Sequence, residues 1–361
     1  MAMNYKNQEG ELDKLLGYVL ETGASDLHLV VGKPPMVRVD SVLLPVPDEI
    51  VLDAERTGEL IAVLLPELHR SMLAEKKQTD FSYSFKSEAR FRVNVYYQKG
   101  TLAASLRHIP TKISTLSELN LSPQLEDLAH HKEGLILFVG PTGHGKSTTL
   151  AALIDIINHS RADHIITIED PIEYVFTQDR AVVSQREVYL DTPSFPEAIR
   201  ATLREDVNVI LIGEMRDLES IATAITVAET GHLVFATLHT NDAPQTVDRI
   251  IDVFPAHQQN QIRSQLANIL IGVVSQRLVP RVGGGRVPAV EIMLASNAVR
   301  SVIREGHTYE LPNIIHTSSA DGMVSLDQAL AELVRKGVVK LEDGLSYASN
   351  PELFKSLVRR F

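Results

Sequence analysis

The eight residues from Gly140 to Ser147 read GPTGHGKS and fit the phosphate-binding pattern G-x-x-x-x-G-K-[ST]. An apolar run at 135–139 precedes them, and residues 148–154 follow with helical periodicity. In such a turn backbone N–H groups surround phosphate oxygens, and the helix N-terminus adds the positive end of its dipole. A purely structural glycine turn is the weaker interpretation, because both flanks and all the motif positions agree. The sequence therefore predicts a nucleoside triphosphate site.

The chemistry of the motif residues assigns roles within this site. Lys146 would reach the β- and γ-phosphates, and the Ser147 hydroxyl would hold Mg²⁺. The predicted nucleotide-binding set is Gly140, Pro141, Thr142, Gly143, His144, Gly145, Lys146, Ser147 and Thr148.

Two acidic residues end apolar runs that read as strands. Glu214 comes after the run 209–212, and Glu169 after the run 166–168, with Asp170 and Glu173 close behind it. Ligands of parallel sheets bind at the carboxyl ends of the strands, where a carboxylate can join a metal shell or activate water. A helix-capping Glu214 and a solvated acidic turn after Glu169 are the alternatives. The phosphate loop favours catalysis.

Two histidines bracket a further apolar run in the segment GHLVFATLHT. His232 stands before the run and His239 after it. A histidine at a strand end is often a hydrogen-bonded structural residue, and this interpretation stays open for both. Placed after a strand of the same sheet, His239 would hydrogen-bond the γ-phosphate region and report its loss.

The rest of the chain must supply the elements that position these residues. Residues 1–110 mix helical and alternating patterns, which predicts an α+β domain with an antiparallel sheet, including a helix over 53–74. Residues 111–124 read as a linker. From 125 to 294 strands alternate with helices, which predicts a parallel sheet. Residues 295–361 are mostly helical, with helix caps expected at Asn297 and Ser325. The predicted fold class is α/β.

Composition excludes several classes of protein. The 361 residues contain no cysteine, which rules out disulfides and thiolate zinc sites. The net charge of −11 argues against a surface that tracks nucleic acid. Apolar runs are only strand-sized, so direct membrane insertion is not expected.

Four segments together resemble those of a known family. GPTGHGKS, IITIEDPIEY, VILIGEMRD and GHLVFATLHT are similar to the Walker A, aspartate, Walker B and histidine boxes of the secretion-type (type II/IV, GspE-like) ATPases, and in particular of the PilT-type pilus-retraction ATPases. The resemblance continues through GASDLHL and ARFRVNVYYQ to AVRSVIRE, and so covers nearly the whole chain. It implies a PAS-like N-terminal domain, a RecA-like P-loop ATPase core and a helical C-terminal region.

The resemblance also implies site roles. Lys146 and Ser147 would bind ATP and Mg²⁺, with Glu214 as the Walker B acid on the metal. Glu169 would be the general base, although the roles of Glu169 and Glu214 could be exchanged. The transition-state cations would be Arg92 and Arg107, and the histidine-box positions would be His232 and His239. On sequence alone, an arginine on a half-exposed strand is more often ion-paired or solvated than catalytic, and this alternative applies to both Arg92 and Arg107.

The implied activity is a cytoplasmic homohexameric ring ATPase that drives type IV pilus retraction in twitching motility through rotation between its domains. It would lie peripherally at the inner membrane and dock on the pilus platform protein, with a retraction paralogue as a further possible partner. An accessory subunit that depends on such a paralogue is the alternative. A DNA-translocating ATPase and a small-molecule kinase are weaker ones. Because AVRSVIRE is similar to the family's retraction motif, we expect replacement of Arg300 and Arg304 to abolish retraction but not ATP hydrolysis.

Three positions depart from the family pattern. His144 replaces the usual Ser at the loop tip, and Val207-Asn208 replaces a common Pro-Asp before the Walker B strand. Asp40-Ser41 replaces a usual Asp-Gly turn. None of these changes removes a predicted catalytic group.

Overall fold

A computed structural model describes residues 2–39, 42–86, 89–109 and 112–359, with side chains described from residue 9 onward. The Asp40-Ser41 turn lies outside the described residues. The chain forms two compact units. Unit 1 comprises Met1–Lys112 and Asp170–Val175, and unit 2 comprises Ile113–Glu169 and Phe176–Phe361.

Unit 1 carries a six-stranded antiparallel sheet within the described residues, in the order β3-β2-β1-β6-β5-β4. Its strands are β1 (Asp26–Val30), β2 (Met36–Val39), β3 (Val42–Pro45), β4 (Gln78–Phe85), β5 (Ala89–Gln98) and β6 (Thr101–Ile109). Its helices are α1 (Ala2–Thr22), α2 (Ala54–Leu64) and α3 (Glu67–Lys76). The predicted α+β module with an antiparallel sheet is confirmed.

The residue pattern explains which face of this sheet is buried. On β5, Phe91, Val93 and Val95 are buried, whereas Arg92 and Asn94 between them are only partly buried. Successive side chains of a strand point to opposite faces, so Arg92 stands on the face away from the core formed by Phe91 and its neighbours. Helix α1 contributes a stripe at helical spacing to that core, namely Leu12, Leu15, Leu16 and Val19.

The helix predicted over 53–74 is two helices in the structure. Asp53 caps α2 by accepting a hydrogen bond from the Arg56 N–H. Leu65 then adopts an extended conformation directly before Pro66, which precedes α3. A residue before proline is disfavoured in the helical region, and this breaks the predicted helix.

Unit 2 carries a seven-stranded sheet within its described residues, in the order β13-β12-β7-β11-β10-β8-β9. Its strands are β7 (Gly134–Val139), β8 (His164–Glu169), β9 (Val182–Glu187), β10 (Val209–Ile212), β11 (Leu233–Leu238), β12 (Leu270–Pro280) and β13 (Arg286–Leu294). Its α-helices are α4 (Lys146–Ser160), α5 (Phe195–Thr202), α6 (Leu218–Glu229), α7 (Ala243–Asp252), α8 (Ala256–Ile269), α9 (Asn297–Glu305), α10 (Leu311–Thr317), α11 (Leu326–Arg335), α12 (Leu341–Tyr347) and α13 (Pro351–Arg359).

The central strands of unit 2 run parallel, as their sequences predict. Every residue of β7, β10 and β11 is buried, which suits strands covered on both faces. Strand β13 pairs antiparallel with β12. Parallel strands place the residues that follow them at one edge of the sheet, and this edge carries the candidate site.

Strand β12 continues past the end of its partner β7. The last paired residues are Ser275 and Val139. From Gln276 to Pro280, β13 is the one strand among the described residues that pairs with β12. We call the paired segments Gln276–Pro280 and Arg286–Val290 the hairpin overhang. Its buried residues Val279, Val287 and Ala289 form a core with α11 and α13, so the C-terminal helices pack on the overhang.

The helix caps expected in the C-terminal region differ at one position. Ser325 caps α11 in a capping box with Gln328, as the sequence predicts. The cap of α9 is Ser296, one residue before the predicted Asn297, because the Ser296 hydroxyl accepts the Val299 N–H. Both residue types suit the position, and the backbone turn selects between them.

Candidate active site

The predicted phosphate loop connects β7 to α4. Gly140 and Gly145 have φ of +141° and +81°, a region that favours glycine. Lys146 is buried, and its ammonium donates hydrogen bonds to the carbonyl oxygens of Gly140 at 2.6 Å and Pro141 at 3.1 Å. Ser147 is exposed in the first turn of α4. The loop thus folds around the Lys146 ammonium, next to exposed backbone and hydroxyl groups.

Glu214 lies at the same sheet edge, two strands away from β7. The Gly213 N–H donates to the Ile168 carbonyl at 2.8 Å, and a Cβ at Gly213 would lie 3.1 Å from that oxygen. This close approach holds the ends of β10 and β8 together. The Glu214 Oε2 atom is 2.7 Å from Arg216 Nη2 and 3.6 Å from His239 Nε2. The structure therefore joins the predicted Walker B acid to one histidine-box residue.

Glu169 ends β8 beside β10 and is half-buried. Its Oε1 atom accepts a hydrogen bond from the Thr167 hydroxyl at 2.7 Å, and Gln185 Nε2 is 3.5 Å away. Both predicted carboxylates thus occupy adjacent strand ends at the edge that also carries the phosphate loop.

The two histidines lie at opposite ends of β11. His239 follows the strand and is exposed at the phosphate-loop edge. His232 precedes it, and its Nδ1 lies 3.1 Å from both the Thr230 hydroxyl and the Val227 carbonyl. A six-residue strand is about 20 Å long, so His232 is not brought to the phosphate loop of its own chain. This position does not support the prediction that His232 acts there.

Arg92 and Arg107 are paired across the neighbouring strands β5 and β6 of unit 1. Arg92 donates two hydrogen bonds to Asp80 Oδ2, at 3.0 and 2.6 Å. Arg107 donates to Asp26 Oδ1 at 3.0 Å. Burial alone would lower the pKa of Arg92, but hydrogen bonding and charge attraction from Asp80 raise it above its ordinary value. Both predicted cations therefore have carboxylate partners within their own unit.

Hydrogen bonds also outweigh burial in setting the pKa of Asp26, which is shifted in the opposite direction. Burial alone would raise its pKa, but hydrogen bonds from Ser25 and Arg107 outweigh burial and lower it. Asp26 is therefore ionised at neutral pH. Its register partners on both sides are arginines, Arg38 and Arg107.

His144 contacts the hairpin overhang, which the sequence did not predict. Its Nδ1 accepts a hydrogen bond from the Leu278 N–H at 2.9 Å. Since an accepting nitrogen carries no proton, this contact requires the neutral ring with its hydrogen on Nε2. Burial lowers the pKa of His144, as do the nearby cations Arg277, Arg286 and Lys146. Neutral pH therefore keeps the ring in its accepting form.

Three further residues of the site were missed by sequence reasoning. Gln276 contacts the phosphate loop, and Arg277 donates to the Asn241 carbonyl at 2.9 Å, two residues after His239. Arg216 pairs with Glu214. Their only local signal is the dipeptide Gln276-Arg277 after the apolar run of β12, together with an arginine two residues after the Walker B acid.

Comparisons with known proteins identify the family of the chain. A family model described as "Type II/IV secretion system protein" matches residues 6–286. The chain is 44% identical over 348 residues to the type IV pilus retractation ATPase PilT of Pseudomonas aeruginosa, covering 95% of this chain and 100% of that protein. It is 41% identical over 350 residues to the type IV pilus ATPase PilU of the same species, covering 97% and 91%.

A solved structure is similar over the same length. The crystal structure of the pilus retraction motor PilT with bound ADP matches with a TM-score of 0.88 at 46% identity, covering 95% of this chain and 98% of that one. The predicted α/β fold and the predicted family are both confirmed. The chain belongs to the type II/IV secretion ATPases and, within them, to the PilT-type pilus-retraction ATPases.

Proposed function

We propose that this protein is a hexameric ring ATPase that hydrolyses Mg-ATP to drive type IV pilus retraction. The observation that carries the proposal is the meeting of the phosphate loop, Glu169, Glu214 and His239 at one sheet edge. The similarity of this chain to PilT, over nearly the full length of both, supports the same function. An accessory subunit that depends on a paralogous motor stays the alternative, and the chain is also 41% identical to a second type IV pilus ATPase, PilU.

The residues at this edge fit the chemistry of ATP hydrolysis. The Lys146 ammonium, now bonded to loop carbonyls, would exchange them for phosphate oxygens. The Ser147 hydroxyl and the Glu214 carboxylate are oxygen ligands of the kind that Mg²⁺ prefers, which fits a metal bound with the nucleotide. The metal would neutralise phosphate charge. Glu169 is the proposed base that accepts the proton of the attacking water, with Glu214 as the alternative.

Arg92 and Arg107 are the proposed transition-state cations. Each would leave a carboxylate, Asp80 or Asp26, for the developing negative charge on the phosphates. An arginine in this role can contribute about 10³–10⁵ in rate. Because both lie in unit 1 and the phosphate loop lies in unit 2, catalysis would then depend on the arrangement of the two units and couple hydrolysis to their rotation.

The proposed partners follow from the proposed activity. Every helix in the described part of the chain is too short or too polar to cross a membrane. We propose that force on a pilus passes through a membrane protein, the platform protein at the inner membrane. Copies joined head to tail would close into a ring.

The test is Mg²⁺-dependent ATP hydrolysis across a range of protein concentrations, with Lys146→Ala, Glu169→Gln and Glu214→Gln in parallel. We expect the rate per chain to rise with concentration as rings assemble. Loss of a general base should lower turnover by about 10²–10⁴-fold. Lys146→Ala should also abolish ATP binding.

The variants separate the two carboxylates. The proposed base variant should bind Mg-ATP as tightly as the wild type while turning it over slowly, whereas loss of the metal ligand should also weaken Mg-ATP binding. Tight ATP binding by the wild type without turnover at any concentration would contradict the motor function and favour the accessory subunit.

A further inference from the structure

Gln276 is a buried amide at the start of the hairpin overhang. It is 2% exposed and follows Ser275, the last residue of β12 that pairs with β7. Strand β7 ends there and the chain turns into the phosphate loop. The side chain of Gln276 therefore lies beside the loop rather than inside the sheet.

Both ends of this amide are bonded to the phosphate-loop region. Its Nε2 donates to the His144 carbonyl at 2.8 Å. Its Oε1 accepts from the Thr149 hydroxyl in α4, also at 2.8 Å. Thr149 is 1% exposed, so this second bond is shielded from water. The amide thus joins the loop tip to the first turns of the helix that follows it.

Two glycines of the loop lie so close to Gln276 that a side chain would not fit at either position. A Cβ on Gly145 would lie 2.8 Å from Gln276 Nε2, and a Cβ on Gly140 would lie 2.4 Å from the Gln276 carbonyl oxygen. Real Cβ contacts are not this short. Close approach to Gln276 therefore adds to the positive φ as a reason for glycine at both positions.

The bond to His144 fixes the direction of a peptide group. In a trans peptide the C=O and the next N–H point in opposite directions. Since the His144 carbonyl points at Gln276, the Gly145 N–H points away from it. We propose that Gln276 is a positioning residue for nucleotide binding, which aims the Gly145 N–H at the phosphates by holding the His144–Gly145 peptide from behind.

The proposal rests on the proposed ATP site and is tested by ADP binding to the full chain with Mg²⁺, measured by calorimetry. Gln276→Met keeps the volume and removes both hydrogen bonds. Gln276→Glu keeps the Oε1 acceptor for Thr149 but removes the donor to His144. We expect each variant to bind ADP about tenfold more weakly, since one oriented donor to phosphate is lost.

The matched control is Asn158→Leu. Asn158 is also fully buried and donates one amide hydrogen bond of 2.8 Å to a carbonyl, that of Thr177, at the far end of α4. This control should lower the melting temperature without changing ADP affinity by more than about twofold. Thr149→Val keeps the donor from Gln276 to His144. It removes the second bond of Gln276 together with the 3.2 Å contact of the Thr149 hydroxyl to the Gly145 carbonyl. It should weaken ADP binding about threefold and serves if the Gln276 variants do not fold.

The outcomes separate the two proposals. A wild-type chain that binds no ADP would contradict the ATP site itself. If the wild type binds ADP and Gln276→Glu binds it equally well, the donor to His144 has no positioning role. The same conclusion follows if Asn158→Leu weakens ADP binding as much as the Gln276 variants, because the effect would then come from general stability.

Discussion

We predict that nucleotide binding by the phosphate loop depends on pH through His144. Its Nδ1 accepts the Leu278 N–H only in the neutral ring, and burial and the nearby Arg277, Arg286 and Lys146 lower its pKa below the usual 6.5. A lowered histidine pKa favours folding at pH above 6.5, and this contribution is lost as the pH falls from 6.5 through the lowered pKa. We expect ADP affinity to fall over the same range.

The measurement is ADP affinity between pH 7.5 and 5, compared with His144→Ser, which lacks the titrating ring. The variant should lose less affinity on acidification than the wild type. Equal slopes for the two proteins would assign the pH dependence to other groups and leave the Leu278 contact without a role in binding.

At the scale of residues, sequence reasoning identified the groups that lie in local patterns. Lys146, Ser147, Glu169, Glu214 and His239 each follow an apolar run, and a parallel sheet brings such positions to one edge. Gln276 could not be found in this way, because its partner His144 is 132 positions away. His232 was placed in the site for a related reason: the histidine-box pattern contains both ends of a strand, but only the end with His239 lies at the phosphate loop of the same chain.

At the scale of elements, Arg300 joins three of them. From α9 its guanidinium donates to the carbonyls of Ala267 and Asn268 near the end of α8, at 2.6 Å for Asn268, and to that of Leu270 in β12 at 2.9 Å. These bonds satisfy carbonyls that a helix end leaves open. Arg304, one turn further on, is exposed. The two arginines of the segment AVRSVIRE therefore have different surroundings.

We expect Arg300→Ala to lower the free energy of unfolding by about 2 kcal/mol, since hydrogen bonds from a charged donor are lost. Arg304→Ala should change it by less than about 0.5 kcal/mol and keep ATP hydrolysis while abolishing retraction. Urea unfolding, ATPase assays and microscopy of pilus retraction give the three readouts. Parallel loss of hydrolysis and retraction in Arg304→Ala would refute a coupling role for that residue.

The elements themselves were largely predictable. Continuous apolar runs in unit 2, alternating apolar and polar residues in unit 1, and 3.6-residue periodicity in both identified the strands and helices, because burial dictates those patterns. The break at Pro66 and the cap at Ser296 were missed because each depends on the backbone conformation of one residue. The hairpin overhang was missed because its length depends on where its partner β7 ends, which the residues of β12 do not encode.

At the scale of the whole molecule, the proposed role of the unit 1 arginines raises the question of which chain's nucleotide they would contact. Arg107 lies in unit 1, where it is bonded to Asp26, whereas Lys146 lies in unit 2. One of the two residues can therefore be replaced in a chain while the other stays intact. We expect Arg107→Ala and Lys146→Ala to be inactive separately. If Arg107 acts on the nucleotide of a neighbouring chain, mixing the two variants should restore part of the activity.

Restored activity would come only from interfaces where an intact Arg107 faces an intact phosphate loop. ATP hydrolysis by mixed and unmixed variants at equal total concentration is the measurement. No recovery in mixtures that exchange subunits would place Arg107 at the nucleotide of its own chain.

The hairpin overhang has a consequence for solubility. Beyond Ser275, no strand in the described part of the chain pairs with β12 on the side that faced β7, and an open strand edge is a template for pairing with another chain. Here the Leu278 N–H on that side is occupied by the His144 ring, and the phosphate loop covers the edge. The phosphate loop therefore also shields this strand edge from pairing with another chain, which would lead to aggregation.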